Sequence, residues 1–240
     1  MAKTHWRKEG KVAVLTMDDG PNKQDLDFAR RMLACLQEIM ADAEVSSLVL
    51  TSADAKNFSQ GVNVEWLLER QQAGDAQTIK QFMYSMNELF KSLLLLPIPS
   101  IAVIGGHAYG NGSILACGCD FRFMRADRGY FCFPEINVGI PFLPSMIKYV
   151  SRVMPNAYFN ELLLSGRPVG GVELEKMGVV TKAIADPELL LSQAIAYAAT
   201  FEKKRGIFAE MKKRMHAEII QAMETEDVKH IEALFLMVLD

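Results

Sequence analysis

The sequence lacks a basic excess: 26 lysines and arginines stand against 29 aspartates and glutamates, a net charge of −3. The cations are scattered except near the C-terminus, so no nucleic-acid partner is expected, while an anionic small ligand stays open. Cysteine is scarce as well. Cys35, Cys117, Cys119 and Cys132 lie in apolar contexts without a paired framework, and such cysteines are small buried hydrophobes of a reducing compartment rather than disulfide partners. Long hydrophobic runs are missing. The stretch Val12 to Met17 follows Lys3, Arg7, Lys8 and Lys11 but meets Asp18 and Asp19 too soon for a signal-peptide core, and the run from Leu93 to Ile104 is broken by Pro97 and Pro99. The expectation is a cytoplasmic protein without a membrane partner. What the chain does have is apolar residues, 50% of its 240. That is enough for a substantial core in one large domain, or in one domain with an appendage.

Hydrophobic periodicity gives the organisation. Val12 to Met17 reads as a first strand and Asp18 to Asn22 as a turn; Leu26, Ala29, Leu33, Leu36 and Met40 then recur at helical spacing, and Leu48 to Thr51 makes a short buried strand. A polar loop holds Phe58 and Gly61. Ile79, Phe82, Met83, Met86, Leu89, Phe90 and Leu93 form a helical stripe that stops before Pro97, and Ile101 to Ile104 is the next strand. A helix starts near Gly112, Phe121 to Met124 is a strand, and Tyr130 to Phe133 is a short one. Helical segments follow around Met146, Leu163 and Leu174, a strand near Val179 to Ile184, and helices from Pro187 onward. Strands alternating with helices argue an α/β fold, divided here into a core over 1–186 and a helical assembly region over 187–240.

The most informative stretch runs from Pro99 to Ile140: an apolar strand, a glycine-rich turn with Gly105, Gly106, Gly110, Asn111 and Gly112, a helix start, then Pro134 and Glu135 among hydrophobic residues. Glycine lets backbone N–H groups approach a ligand, and a helix N-terminus favours the negative charge of an enolate. Phe131, Phe133, Ile136 and Val138 flank Glu135 and are expected to desolvate it, which raises a carboxyl pKa.

Three blocks, in order, resemble the enoyl-CoA hydratase/isomerase (crotonase) superfamily. In Leu50 to Val64, Lys56, Phe58, Ser59, Gly61 and Asn63 look like its F-S-x-G-x-D loop. Pro97 to Asp120 is similar to P-x-P-x-I-A-x-x-x-G followed by G-x-G, a helix and C-D, and Phe133 to Gly139 matches P-E-x-x-x-G. The resemblance implies the crotonase (ClpP-like) spiral of ββα units with a helical C-terminal region, a homotrimer or dimer of trimers, and an acyl-CoA thioester substrate. Coenzyme A is then part of the substrate and no further cofactor is expected.

Carried over position by position, the resemblance makes the amides of Val62 and Asn111 the oxyanion donors and Glu135 the base. Lys56, Gln60, Gly61, Gly110, Gly112 and Ile114 become substrate-binding positions. Hydratases of the family use two glutamates; the first of those positions is Ile114 here, and a single carboxylate suits a double-bond shift, the Δ3,Δ2-enoyl-CoA isomerase reaction, better than water addition. Glu65 stands where many relatives have a lysine, Asn63 replaces an aspartate, and Asn111 sits where hydratases usually have glycine. The alternatives are a hydratase or other crotonase-type reaction with a second acid from Glu65 or Glu69, and a non-catalytic acyl-CoA-binding paralogue.

Other residues take structural readings. Cys117 and Cys119, two apart on a helix, face different ways, so no metal site is expected. Ser113 lacks the flanking glycines of a nucleophile elbow. His107 reads as a packing histidine and Asp120 as structural. Lys203, Lys204, Arg205, Lys212, Lys213 and Arg214 read as a solvated helix face.

Overall fold

The computed structural model describes residues 3–235, 237 and 238, and nine strands within it form two sheets. The larger holds β1 (Thr4–Glu9), β2 (Val12–Met17), β3 (Ser47–Ser52), β5 (Ser100–Ile104), β7 (Phe121–Arg125) and β9 (Lys182–Ile184), side by side in that order; the smaller holds β4 (Asn57–Ser59), β6 (His107–Tyr109) and β8 (Phe131–Cys132). Only β1 and β2 pair antiparallel, through a tight turn at Gly10; the remaining pairs are parallel, as crossover helices require. This is the crotonase spiral with its helical C-terminal region.

Alternation along the strands sends side chains to two faces. Ala13, Leu15 and Met17 of β2, Leu48 and Leu50 of β3, and Ala102 and Ile104 of β5 enter the main core. There they meet α1 (Leu26–Ala41), α3 (Ala76–Leu94) and α4 (Asn111–Gly118). Val12, Val14, Val49, Ile101, Val103 and Phe123 point the other way, where Leu190, Ala194 and Ala198 of α8 (Pro187–Ala199) cover them. β2, β3 and β5 therefore carry apolar residues on both faces, as expected of parallel strands covered on both sides. Helices α5 (Pro144–Ser151), α6 (Asn156–Ser165) and α7 (Gly171–Lys176) precede β9; α9 (Arg205–Met215), α10 (Ala217–Thr225) and α11 (Asp227–Glu232) complete the chain.

Several elements differ from the sequence reading. The first strand is β1, which the periodicity misses because it is a cation-rich edge with only Thr4 buried. The polar loop after β3 contains β4 and a helix, α2 (Val64–Gln72), with no buried residue and hence no apolar stripe to detect. The glycine turn contains β6, and the strand expected from Val179 begins only at Lys182. The basic C-terminal face is not uniformly solvated. Lys212 is buried with its Nζ 2.9 Å from an Asp120 carboxylate oxygen, and Arg205 donates to the carbonyls of Met40, Asp42 and Val45. Among the described residues no helix is long and apolar enough to cross a membrane, and no cluster of His, Cys, Asp or Glu suits a metal ion.

Candidate active site

The first amide is presented by a backbone bridge. Gln24 N–H donates to the Gly61 carbonyl at 2.7 Å and the Asn63 N–H donates to the Gln24 carbonyl at 2.8 Å. In such a parallel bridge the intervening residue turns its own N–H to the opposite side, so Val62 offers its amide away from Gln24. Gln24 is fully buried and its Nε2 donates to Ser59 Oγ, while Asn22, also fully buried, donates to the Phe58 carbonyl and Ser52 Oγ. These two supporting residues were missed in the sequence, where Asn22 ends a turn and Gln24 lies between it and the first helical stripe; their only signal is polarity near an apolar strand.

The second amide comes from the start of α4. Gly110, at φ +53 and ψ −124, turns the chain out of β6, and Asn111 is the first helical residue, whose N–H has no intrahelical acceptor. Among the described residues neither the Val62 nor the Asn111 amide donates to a loop carbonyl or a side chain. Glycines bring the two segments together. A Cβ on Gly61, which has φ +77, would lie 2.6 Å from the Tyr109 oxygen and 3.1 Å from the Asn111 nitrogen; one on Gly112 would lie 2.3 Å from the Ser59 oxygen. Main chain touches main chain there, and only glycine fits.

Glu135 completes the site from a 3-10 turn, Pro134–Asn137, in which its carbonyl accepts from the amides of Val138 and Ile140. The residue is 9% exposed, its Oε2 is buried without a partner, and burial pushes its carboxyl up to about 7. Its Oε1 lies 2.9 Å from where a Cβ on Gly110 would be. The acid thus rests against the residue that precedes the Asn111 amide. Of the four flanking hydrophobes expected to desolvate it, Phe131 and Phe133 are buried and pack edge to face at 5.2 Å, but Ile136 and Val138 are 54% and 52% exposed. A 3-10 turn does not send neighbours inward at strand or helix periods, which is why the pair fails.

The structure therefore brings together Gly61, Val62, Gly110, Asn111, Gly112 and Glu135. Ile114, one turn along α4, is 1% exposed in the main core. Lys56 and Gln60 lie exposed on the rim; the Lys56 carbonyl accepts from the His107 amide at 2.9 Å. Glu65 and Glu69 are exposed on α2, and Glu65 accepts from Lys23 at 3.0 Å, so neither supplies a buried second acid. Ser113 Oγ is bound to the carbonyls of Ala108 and Cys132, a structural use. Burial raises the thiols of Cys117 and Cys119 to about 11 and about 12, which leaves them inert.

A model of the family described as enoyl-CoA hydratase/isomerase matches residues 7–236. Enoyl-CoA delta isomerase 2, peroxisomal, of Arabidopsis thaliana is 31% identical over 231 residues, covering 91% of this chain and 95% of the relative. Short-chain-enoyl-CoA hydratase of Clostridium acetobutylicum is 30% identical over 187 residues, 76% of this chain and 69% of the relative. Among solved structures, an enoyl-CoA isomerase of Mycobacterium tuberculosis superimposes with a TM-score of 0.85 at 21% identity, over 96% of this chain and 98% of the other. An enoyl-CoA hydratase from Bacillus halodurans gives 0.82 at 21% identity, over 97% and 100%.

Proposed function

The chain belongs to the enoyl-CoA hydratase/isomerase family, and from that premise we propose that it shifts the double bond of an unsaturated fatty acyl-CoA from position 3 to position 2. The observation that carries this reading is one buried carboxylate, Glu135, with Ile114 rather than a second acid one helical turn from the oxyanion hole. The thioester oxygen sits between the Val62 and Asn111 amides. Glu135 takes a proton from C2, the electron pair moves into a dienolate whose oxygen the two amides hold, and the same carboxyl returns the proton at C4 as the double bond settles between C2 and C3. Each preorganised donor is worth about 3–4 kcal/mol of barrier in such a site. A carboxyl near pKa 7 is matched to the task, because it is ionised enough to accept and acidic enough to return the proton.

The similarity to the Arabidopsis isomerase over most of both chains supports this choice; the similarity to the Clostridium hydratase keeps water addition as the second reading. Offering a 3-enoyl-CoA and a 2-enoyl-CoA to the protein and to Glu135→Ala separates the two. Isomerisation that vanishes in the variant with thioester affinity within about threefold supports the proposal; hydration as the dominant wild-type activity, or unchanged isomerisation in the variant, defeats it. Saturable binding without exchange of the C2 hydrogen favours a non-catalytic paralogue.

Two further parts of the reading concern assembly and place. Ile207, Met211 and Met215 repeat every four residues on α9 and are exposed, which supports a homotrimer, or a dimer of trimers, assembled through the 187–240 region. A cytoplasmic location rests on the reduced, buried cysteines, while the Arabidopsis relative is peroxisomal by name.

A further inference from the structure

Asn111 carries a side chain where the oxyanion hole needs only an amide. The residue is 9% exposed, and its carboxamide makes no hydrogen bond with any described residue. Its oxygen and nitrogen are not among the sealed, unpartnered polar atoms, so the carboxamide opens to a space where a ligand can become its partner. Glu135 does not fill that role: it keeps its Oε2 unpartnered, and its proton affinity reflects burial and its own backbone, not a bond from Asn111.

Placement points to the partner. Asn111 is the first residue of α4, and in a helix every Cα–Cβ bond tilts toward the N-terminus. A short side chain at that position overhangs the same end of the helix into which its own N–H opens. Gly110 before it and Gly61 beside it lack side chains that would stand between the carboxamide and the cleft. Lys56 and Gln60 lie exposed on the rim, and the buried amides of Asn22 and Gln24 already donate to Ser52, Phe58 and Ser59.

We propose that the Asn111 carboxamide donates a third hydrogen bond to the thioester oxygen, alongside the main-chain N–H groups of Val62 and Asn111, and strengthens it as the oxygen gains charge. Asn111 is then a catalytic residue through its side chain as well as its backbone. This rests on the acyl-CoA reading of the site, and it explains how a chain with a side chain in place of the hydratases' usual glycine uses the atoms it adds.

The test uses Asn111→Ala and Asn111→Asp. Asp is isosteric with Asn and favoured in the first turn of a helix, so the second variant keeps or gains thermal stability while replacing an N–H donor by a negative oxygen. With 3-hexenoyl-CoA, kcat is expected to fall roughly 10- to 100-fold in the Ala variant and further in the Asp variant, with KM within about threefold in the Ala variant. A second readout needs no turnover. Infrared spectra of bound hexanoyl-CoA, labelled with carbon-13 at the thioester carbonyl, are expected to show the stretch lowered on binding to the wild type and returned part of the way in both variants. Equal carbonyl frequencies in all three proteins, or kcat unchanged in both variants, overturn the proposal. A wild type that lowers the carbonyl frequency but does not isomerise defeats the isomerase reading and leaves the third donor standing; failure of hexanoyl-CoA to bind defeats both.

Discussion

Glu135 Oε1 occupies the space beside Gly110 that a side chain would need: a Cβ on that glycine would stand 2.9 Å from the oxygen. The same glycine has φ +53 and precedes the helix whose first amide is that of Asn111, so one residue sets both the direction of that amide and the room for the Glu135 carboxyl. Gly110→Ala is expected to strain the backbone by about 1–3 kcal/mol and to displace the carboxyl, removing most isomerase activity. Gly20, where a Cβ meets nothing within 4 Å at a similar φ of +53, is the control. Gly20→Ala puts a Cβ at a positive φ without a collision, so comparable activity loss in both variants would mean that the contact with Glu135 is not what matters.

The proton affinity of Glu135 predicts the pH profile. Burial raises the carboxyl to about 7, and only the ionised form abstracts a proton. On the free enzyme, kcat/KM for a 3-enoyl-CoA is expected to rise with pH through about 7 and then level. A midpoint near the ordinary glutamate value of about 4.3 would mean that the carboxyl is solvated in the working enzyme.

Two groups give opposite pH dependences of stability. Glu135 binds its proton more tightly folded than unfolded, so its contribution to stability is present at low pH and is lost as pH rises from about 4.5 to about 7. His216 behaves in reverse. Burial, with the charges of Arg152 and Lys212, pushes it down to about 4, so the unfolded chain takes up its proton first and stability falls as pH drops from about 6.5 to about 4. The windows overlap, and in the wild type the effects offset one another. Glu135→Gln is expected to be more stable than wild type at pH 8, by up to about 3 kcal/mol, and to expose the acid lability due to His216. Urea unfolding of both proteins at pH 8 and pH 5 checks this; parallel pH dependences would remove the premise.

The buried ion pair below α4 yields the next expectation. Asp120 accepts from Ser100 N at 2.8 Å and Ser100 Oγ at 2.9 Å as well as from Lys212, whose ammonium is held below its usual pKa by burial. Asp120→Asn leaves that buried ammonium uncompensated and still opposed by the charge of Arg152, and a loss of about 3–5 kcal/mol is expected. Asp120→Asn with Lys212→Met should recover much of it. No recovery would mean that Ser100, not Lys212, is the partner that matters.

The contrast between Asp120 and Glu135 also explains what could be read in the sequence. Alternating apolar strands and the α1 and α3 stripes were legible because burial on a regular element leaves a period, and the Pro-Glu block and glycine turn because they stand at fixed offsets. β1, α2 and β6 left no period: the first is a charged edge, the second has no buried residue and the third is three residues long. The contact between Gly110 and Glu135 joins residues 25 apart through a missing atom, and the fixing of Val62 by Gln24 is a main-chain bridge. Neither involves a residue type that announces it. Lys212 was misread because its helix neighbours Lys213 and Arg214 are exposed, and charge alone does not tell which face of a helix is covered.

Ile114 offers a test of why one acid is enough. It lies four residues after Gly110, the glycine that Glu135 rests against, and is 1% exposed in the main core. A glutamate there would put a second carboxyl in the same dry surroundings. Like charges resist joint ionisation, so Ile114→Glu is expected to move the kcat/KM midpoint above 7, by roughly one unit or more, and to lower isomerase activity at neutral pH. Ile114→Gln controls for volume and polarity: it should lose stability, by about 2–4 kcal/mol, and keep the wild-type midpoint. If the midpoint stays at the wild-type value with glutamate at 114, the two side chains do not share a site, and the missing acid at that position says nothing about which reaction Glu135 serves.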